Sequence, residues 1–282
     1  MLRERAELFA ELRKFFAQRA VLEVQTPVIG RFSVTDPSIR AIELEDGYLQ
    51  TSTEYHQKRL LAAGIGDNYT LGPVFRAGES GQTHNPEFTM LEWYRCGFDE
   101  HMLMSEIAQL VDEVLGPADY DRCNASEMFE AAEVEYGTLR KTGQAPELEP
   151  DLVSAWCMDR AYRSLPSGRC FVVDFPADQA LLAQLDAANP CIARRFELLI
   201  DGIELANGYF ELTDPVELQA RFAADNRRRG QSWQAIDTRL IAALEQGMPA
   251  CAGVALGVDR LLMLKLGLEH IDQVQAFSWA RR

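Results

Sequence analysis

Three features that would mark a membrane, secreted or zinc-binding protein are missing from this sequence. Its 282 residues include no run of eighteen apolar residues, the length that a transmembrane helix needs. Residues 1–7 mix charges and lack the apolar core of a signal peptide. The six cysteines form no CxxC pair, which argues against a zinc site or a disulfide framework. We therefore predict a cytoplasmic protein with reduced thiols and no membrane span.

Basic residues are scarce relative to acidic ones. The chain has 28 Lys and Arg against 43 Asp and Glu, a net charge of −15. Proteins that bind a nucleic acid mainly through its phosphates need clustered Lys and Arg, and the short basic cluster at 227–229 is more typical of a solvated helix end. The balance argues against tRNA or DNA as the main partner, while a local patch can still differ from the mean.

The hydrophobic pattern predicts an α+β fold rather than a doubly wound one. Hydrophobic residues make up 47% of the chain, enough for a substantial core. Antiparallel runs of strands are frequent and βαβ units are few, so we expect a mainly antiparallel sheet flanked by helices. We predict helices at 2–20, 55–63, 101–115, 214–229 and 237–246, with a final strand and helix within 251–266. We predict strands at 21–24, 71–75, 88–94 and 170–175, within 40–51 around a turn at Asp46-Gly47, and within 194–212. Residues 116–169 are predicted to hold short helices at the edge of the domain.

The most informative segment spans residues 75–94. A buried strand ends at Arg76, a polar loop follows, and alternation on a second strand places Phe88, Glu92 and Tyr94 on one face. A guanidinium suits a phosphate, an aromatic face suits a purine, and a carboxylate suits an ammonium group. The segment therefore predicts a site for ATP beside an amino acid.

A second segment, residues 195–212, contains a predicted hairpin with a two-residue turn at Asp201-Gly202. That turn places Glu204 opposite Leu199 and makes Glu197 its diagonal neighbour on the same face. Two such carboxylates suit Mg²⁺ bridging to phosphate oxygens, although a polar outer face is the commoner meaning of this pattern. Simple alternation puts Glu211 on the opposite face, unless a bulge at Asn207-Gly208 interrupts it.

A third segment, residues 253–263, alternates small and apolar residues. Gly253, Ala255 and Gly257 leave one strand face nearly bare, so a ligand can approach the backbone. Arg260 lies in the first turn of the following helix, where the helix dipole disfavours a cation unless it binds an anion such as polyphosphate. Close strand packing with a surface arginine explains this segment equally well when it is taken alone.

Together these segments resemble the catalytic domain of class II aminoacyl-tRNA synthetases, in the lysyl branch. Residues 23–27 with the preceding helix are similar to the dimer-forming motif 1, residues 75–94 to motif 2, and residues 253–260 to motif 3. The sequence at 84–90 and the sequence at 204–209 are similar to signatures of the lysyl type. The resemblance covers nearly the whole chain.

Within that branch the chain resembles the ligases that attach (R)-β-lysine to elongation factor P. It starts directly at motif 1, so we expect one catalytic domain over residues 1–282 without an anticodon-binding domain. The acidic charge suits a protein target better than tRNA. Ala255 stands where lysyl-tRNA synthetases have a glycine, and its methyl group narrows the pocket beside the amino and carboxyl end of the substrate.

The resemblance implies roles for individual residues. For ATP, it implies that Arg76 contacts the α-phosphate, Phe88 stacks on adenine and Arg260 meets the γ-phosphate, with Arg76 and Arg260 catalytic. The ATP site would be completed by Asn85, Glu204, Leu205 and Gly257. Glu197 and Glu204 would bind Mg²⁺. For the amino acid, the main-chain end would lie near Ser52, Thr53, Glu54 and Ala255, and the side-chain ammonium would lie near Glu92, Tyr94 and Glu211.

Two positions depart from the family pattern. Gly78 stands where motif 2 usually has a glutamate, which leaves Glu79 or the backbone to recognise adenine, and Thr53 replaces a proline. The implied reaction has two steps, formation of an aminoacyl-adenylate and transfer to a lysine of elongation factor P. Two alternatives stay open at this point: a tRNA-charging lysyl-type synthetase lacking the anticodon domain, and a non-catalytic paralogue that binds an amino acid.

Overall fold

The structure, a computed structural model, describes residues 1–36, 38–148, 150–229 and 235–282. The helices are α1 (Leu2–Gln18), α2 (Glu54–Ala62), α3 (Glu100–Leu115), α4 (Ala125–Lys141), α5 (Pro150–Arg163), α6 (Pro215–Arg229), α7 (Thr238–Glu245) and α8 (Val258–Leu266). The strands are β1 (Leu22–Glu23), β2 (Ile29–Gly30), β3 (Ile42–Leu44), β4 (Gly47–Leu49), β5 (Asn68–Phe75), β6 (Glu87–Cys96), β7 (Tyr120–Asn124), β8 (Arg169–Val173), β9 (Phe175–Pro176), β10 (Ile192–Ala193), β11 (Arg195–Ile200), β12 (Ile203–Phe210) and β13 (Cys251–Gly257). None of the helices in these ranges is both long and apolar enough to cross a membrane.

An eight-stranded sheet organises the chain. Its strand order is β1-β5-β6-β13-β12-β11-β8-β7, and every neighbouring pair is antiparallel except β1 with β5 and β7 with β8. Smaller sheets are formed by β2-β4-β3 and by β10-β9. The predicted α+β class with a mainly antiparallel sheet is therefore confirmed.

One face of the large sheet carries the main hydrophobic core, beneath α1, α3 and α8. The apolar stripe of α1 is buried there, and Phe16 stacks on Tyr69 of β5 with ring centroids 4.4 Å apart. Trp93 of β6 meets Phe16 edge-on at 5.3 Å. Full burial of a side chain of this kind stabilises the fold by about 1.5–3 kcal/mol.

The opposite face of the sheet is left for the polar side chains predicted to form the site. Its two flanks are closed by separate clusters. Helices α2, α6 and α7 pack together over one flank, where Tyr55 approaches Phe222 at 5.5 Å between ring centroids. Helices α4 and α5 pack over the other flank, where Phe129 meets Phe175 at 6.0 Å.

The prediction for residues 116–169 is wrong in detail. The segment begins with β7, which pairs in parallel with β8, and continues into helices of 17 and 14 residues rather than short ones. Its many charged residues hid the pattern because only a narrow stripe, including Phe129 and Ala161, is buried against the sheet.

The predicted turn at Asp46-Gly47 is displaced by one residue. Leu44 pairs with Gly47, so the two-residue turn is Glu45-Asp46 and the glycine is the first residue of β4. Glycine is needed there for another reason, since an added Cβ at position 47 would lie 2.4 Å from the carbonyl oxygen of Gly30. Arg227 and Arg228, in the basic cluster, are exposed on the last turn of α6 as predicted.

Candidate active site

The three predicted segments meet in one row across the sheet. Glu92 pairs with Ala255, Ala255 with Asn207, and Asn207 with Glu197. Directly paired residues point to the same face, so the row joins motif 2, motif 3 and the predicted hairpin. The carboxylates of Glu92 and Glu197 lie at its two ends, and the small Ala255 and Asn207 lie between them.

A parallel row lies two residues along each strand. Tyr94 pairs with Gly253, and Gly253 pairs with Tyr209, which in turn pairs with Arg195. An added Cβ at Gly253 would lie 2.3 Å from the Tyr94 ring and 2.4 Å from a Glu211 oxygen. The glycine therefore makes room for the side chains of Tyr94 and Glu211, whereas the bare strand face had been predicted to let a ligand approach the backbone.

A bulge in β12 brings Glu204 and Glu211 to the same face. The pairing Leu199 with Glu204 is as predicted, but the next pair is Leu198 with Ala206, so Leu205 is an extra residue. The break expected at Asn207-Gly208 is thus two residues earlier. Leu205 and Ala206 both belong to the core on the opposite face, and alternation then returns Glu211 to the site.

Glu92 is held by neutral donors. Its carboxylate accepts hydrogen bonds from the Ser52 hydroxyl at 2.8 Å, the Thr53 amide at 3.0 Å and the Tyr94 hydroxyl at 2.9 Å. Burial raises the pKa of Glu92, and the charge of Glu54 raises it further. In the described part of the chain no basic side chain forms an ion pair with Glu92, so the arrangement suits an incoming cation.

The sequence Thr51-Ser52-Thr53-Glu54 has the pattern of a helix N-terminal capping box, but no such box forms before α2. Thr53 is the residue before α2, yet its hydroxyl bonds Glu92 at 2.9 Å and makes no cap to the helix. The Ser52 hydroxyl instead accepts from the Glu54 amide at 3.0 Å while donating to Glu92. The hydroxyl groups of Ser52 and Thr53 therefore bond to Glu92 of the site, and neither forms a capping box for α2. This supports the predicted placement of Ser52, Thr53 and Glu54 beside the site.

Sequence reasoning missed Lys58, which is buried between two of the predicted substrate ligands. Its Nζ lies 2.6 Å from Glu54 Oε1 and 2.6 Å from Glu211 Oε2. Burial alone would lower the pKa of Lys58, but the two carboxylates outweigh burial and raise it, so the ammonium stays charged. Burial raises the pKa of Glu211, and the Lys58 ammonium opposes that effect and keeps the carboxylate paired. The i, i+4 spacing from Glu54 was the available sequence signal.

Glu197, at the other end of the row, is already paired with a cation. It forms a short ion pair with Arg195 and accepts hydrogen bonds from Tyr162 at 2.5 Å and Asn207 at 3.0 Å. Burial raises the pKa of Glu197, and Arg195 opposes that effect. Tyr162 comes from α5, in the segment whose pattern was least clear, and no sequence signal indicated it.

The carboxylates of Glu197 and Glu204 fit the predicted Mg²⁺ only in combination with phosphate oxygens. No group of three or more His, Cys, Asp or Glu able to hold a metal exists among the residues that the structure describes. Glu204 is 42% exposed, and its strand partner Leu199 lies two residues from buried Glu197 on the same face, so Glu197 and Glu204 are diagonal neighbours. Mg²⁺ commonly takes one or two carboxylates plus substrate phosphates, which this donor pair allows.

Arg76 and Phe88 are brought together as predicted. The Arg76 guanidinium carbon lies 5.2 Å from the centre of the Phe88 ring, and Arg76 Nε donates to the Thr51 carbonyl at 3.3 Å. Glu79 approaches Arg76 at 3.7 Å. An arginine stacked on a ring presents both groups in a fixed geometry, as binding of a nucleotide phosphate and base requires.

Gly78, the departure from motif 2, has a left-handed backbone conformation with φ of +80°. An added Cβ would also lie 3.0 Å from a guanidinium nitrogen of Arg40. A glutamate here would therefore be strained by the backbone and crowded by Arg40. The loop thus takes a shape that leaves Glu79, beside Arg76, as the nearby carboxylate.

Arg260 is anchored at the start of α8 by two carbonyl groups. It donates to the Glu204 carbonyl at 2.6 Å and to the Thr83 carbonyl at 3.2 Å, and its remaining nitrogen lies 2.7 Å from His84 Nε2. Burial lowers the pKa of His84 and the Arg260 charge lowers it further, which favours a neutral ring that accepts from Arg260. His84 lies in the signature at 84–90, but sequence reasoning gave it no role.

Comparison with known proteins assigns this arrangement to a family. The model of the tRNA synthetases class II (D, K and N) matches residues 1–281. The chain belongs to the class II tRNA synthetase family. It is similar to the elongation factor P–(R)-β-lysine ligase of Vibrio cholerae, with 46% identity over 99% of this chain and 95% of the relative. It is also similar to the ligase of the same name from Photorhabdus laumondii, with 43% identity over 98% of this chain and 94% of the relative.

Three further residues predicted to line the ATP site of this class II chain differ in which of their groups could contact a ligand. Asn85 is buried, donating to the Glu87 carbonyl at 2.6 Å and accepting from the Trp279 amide at 3.2 Å. The Leu205 side chain lies on the core face, so only its backbone could meet a ligand. At Gly257 an added Cβ would meet only Arg260, at 3.6 Å, so packing within the described protein does not require glycine there.

Asp259 joins all three class II motifs and was also missed. It accepts from Arg5 of α1 at 2.5 Å and from the Thr89 amide of β6 at 2.7 Å, and it is almost fully buried. A negative charge in the first turn of α8 is favoured by the helix dipole. The available sequence signal was that Asp259 is adjacent to Arg260 on α8. Adjacent helical residues point in different directions, so if Arg260 faces the ligand, Asp259 faces the protein.

Proposed function

We propose that this protein uses ATP to activate (R)-β-lysine as an aminoacyl-adenylate and then transfers it to a lysine of elongation factor P. The single observation that carries the proposal is the row across the sheet. Along this row Glu92, free of a basic partner among the described side chains, shares a face with Glu197, and the Arg76 guanidinium lies over the ring of Phe88 on the same strand as Glu92. The names of relatives with more than 40% identity over nearly the full chain support the same activity.

In the first step the substrate carboxylate attacks the α-phosphorus of ATP, and the bond to pyrophosphate breaks. Arg76 and Arg260 supply positive charge where negative charge develops, and the fixed pair of Arg76 and Phe88 orients the nucleotide. Catalysis by this chain is therefore mainly positioning and electrostatic stabilisation. Mg²⁺, held by Glu197 and Glu204, would neutralise phosphate charge when bound.

In the second step the ε-amine of the acceptor lysine attacks the adenylate carbonyl, an amide forms, and AMP leaves. The substrate's own amines would be bound at this stage by Glu92, Tyr94 and Glu211, with Ser52 beside Glu92 and with Glu54 joined to Glu211 through Lys58. A carboxylate buried without a cation gains most from an ammonium ligand, because removal from water strengthens their attraction. Glu92 has that environment.

Several finer features belong to the same proposal. The family match over residues 1–281 supports one catalytic domain, and the net charge of −15 supports a protein rather than tRNA as acceptor, in the cytoplasm. A homodimer is supported by exposed apolar residues in the motif 1 segment, Leu22, Val28 and Ile29. Sedimentation of the purified chain would test the dimer, and a monomer at micromolar concentration would contradict it.

The function is tested by supplying ATP and labelled (R)-β-lysine or α-lysine together with elongation factor P or tRNA. We expect label on elongation factor P, with β-lysine preferred, and none on tRNA. Arg76→Ala should abolish labelling, while Arg163→Ala, which removes an exposed arginine paired with Asp159, should not. Label on tRNA alone, or no amino-acid-dependent exchange of pyrophosphate with ATP, would refute the proposal.

A further inference from the structure

Lys58 connects two walls of the pocket that are distant in sequence. It lies one turn after Glu54 on α2, and Glu211 follows β12 on the other wall. Both Nζ–oxygen distances are 2.6 Å, and only 2% of the lysine side chain is exposed. A buried lysine with two carboxylate partners has little freedom, so it fixes the spacing between Glu54 and Glu211.

The charges in the pocket do not balance within the protein. Glu54, Glu92 and Glu211 influence one another, since Glu54 raises the pKa of Glu92 and of Glu211. Among the described residues, Lys58 is the basic side chain in ion-pair contact with Glu54 and Glu211, and Glu92 has none. With the three carboxylates ionised, two negative charges remain without a counter-ion.

We propose that Lys58 is a positioning residue that makes the pocket specific for a substrate with two ammonium groups. The Lys58 ammonium neutralises one of the three negative charges and holds Glu54 and Glu211 at a fixed separation. Two positions therefore remain at which an ammonium group of the substrate can bind. This inference rests on the proposed function and adds a residue to it. It implies that the ion pair acts through the carboxylates and that Lys58 itself does not contact the reacting atoms.

Loss of Lys58 should shift the substrate preference of the protein towards a compound with one ammonium group and away from a compound with two. The natural pair for this comparison is β-lysine and 3-aminohexanoic acid, which lacks only the terminal amine. In the wild-type protein the second ammonium contributes strongly because it meets a carboxylate held in place by Lys58. Without Lys58 that carboxylate is free to move or to take up a proton, and the second ammonium contributes less.

The test measures ATP–pyrophosphate exchange with each amino acid for wild type, Lys58→Gln, Lys58→Arg and Lys265→Met. Lys265 is the matched control because it forms a 2.8 Å ion pair with Glu11 away from the pocket. For Lys58→Gln we expect the KM for β-lysine to rise roughly 100-fold. The KM for ATP should stay within about twofold, since no ATP-binding group is removed. The preference for β-lysine over 3-aminohexanoic acid should fall by roughly tenfold or more.

Lys58→Arg keeps the charge and should recover most of the β-lysine preference, whereas Lys265→Met should behave as wild type. If Lys58→Gln does not fold, the same comparison is made with Lys58→Met, which also removes the ammonium and should likewise raise the KM for β-lysine and not for ATP. An unchanged preference in the variant that lacks the Lys58 charge, or equal increases in both of its KM values, would overturn the inference alone. No exchange by the wild-type protein with β-lysine or α-lysine would overturn the proposed function and the inference together.

Discussion

The two ends of the row across the sheet carry the same side chain in opposite electrostatic situations. Glu92 is surrounded by hydroxyl groups and one amide, whereas Glu197 is paired with Arg195 and further bonded by Tyr162 and Asn207. Both are buried in the same sheet face, so burial does not distinguish them. A carboxylate whose counter-ion belongs to the protein stabilises the fold, while a carboxylate without one binds the cation of a substrate. The comparison predicts that loss of the Glu92 charge lowers activity and not stability, whereas loss of the Glu197 charge lowers stability as well as Mg²⁺ binding.

The largest expected effect is on activity, from Glu92→Gln. Because the variant removes the charge that would meet the substrate ammonium, kcat/KM for β-lysine should fall by roughly 10²–10³-fold. The folded state should be no less stable than wild type, because a buried charge without a basic partner is removed. Exchange kinetics and thermal unfolding measure the two properties. A loss of stability together with intact kcat/KM would reverse our assignment of this end.

The next largest effect is on stability, from Glu197→Gln. The change leaves Arg195 buried without its counter-ion, and breaking such a pair typically costs about 3–5 kcal/mol. Chemical denaturation measures the free energy of unfolding. Glu135→Gln is the matched control, since Glu135 pairs with Arg160 on the exposed surface and should contribute little. Equal stability of the two variants would show that the Glu197 end is not structural.

A smaller effect is expected from Ala255→Gly, between the two ends. Removing the methyl group beside Glu92 should widen the pocket and raise activity with α-lysine relative to β-lysine, by roughly tenfold. Ala206→Gly, on the neighbouring strand but on the core face, is the control and should lower stability without changing preference. An unchanged ratio of kcat/KM values for the two lysine isomers would contradict the role of Ala255.

The smallest effect is a dependence of stability on pH. Burial raises the pKa of Glu92, which has no basic partner among the described side chains, so above pH 4.5 and up to that raised pKa the folded protein keeps a proton that the unfolded chain releases. The contribution of Glu92 to stability therefore falls as pH rises through this window, by less than a factor of ten in the folding equilibrium per pH unit. Glu92→Gln should unfold with a flatter pH profile. Parallel profiles for the variant and the wild type would refute this explanation.

How much of the site could be predicted depends on the range of the interactions that build it. The faces of β6 and the turn at Asp201-Gly202 follow from side-chain alternation and local turn preferences, and both were predicted. The pairing of Leu199 with Glu204 followed from that turn. The fold class is confirmed, and the structure brings Phe88, Glu92 and Tyr94 to one face of β6, with Arg76 over the Phe88 ring.

What was missed depends on contacts between distant segments. Lys58 meets Glu211 and Tyr162 meets Glu197 only after the sheet has assembled, and nothing in the local sequence specifies either partner. No residue type at Leu205 signals the bulge, because leucine is equally suited to a regular strand. Arg195, the ion-pair partner of Glu197, lies two residues earlier on β11 and therefore on the same face. A search of the sequence for opposite charges at i and i+2 of a predicted strand would have found this pair.

The extra residue at Leu205 also limits how the chain can change in length. Because side chains alternate with a period of two, losing one residue between Glu204 and Glu211 would turn one of them towards the core. Insertions or deletions of a single residue in β12 should therefore be rejected, while paired ones shift the register and keep the faces. A substitution between Glu204 and Glu211 leaves both side chains on the same face of β12, whereas a change of length by an odd number of residues does not.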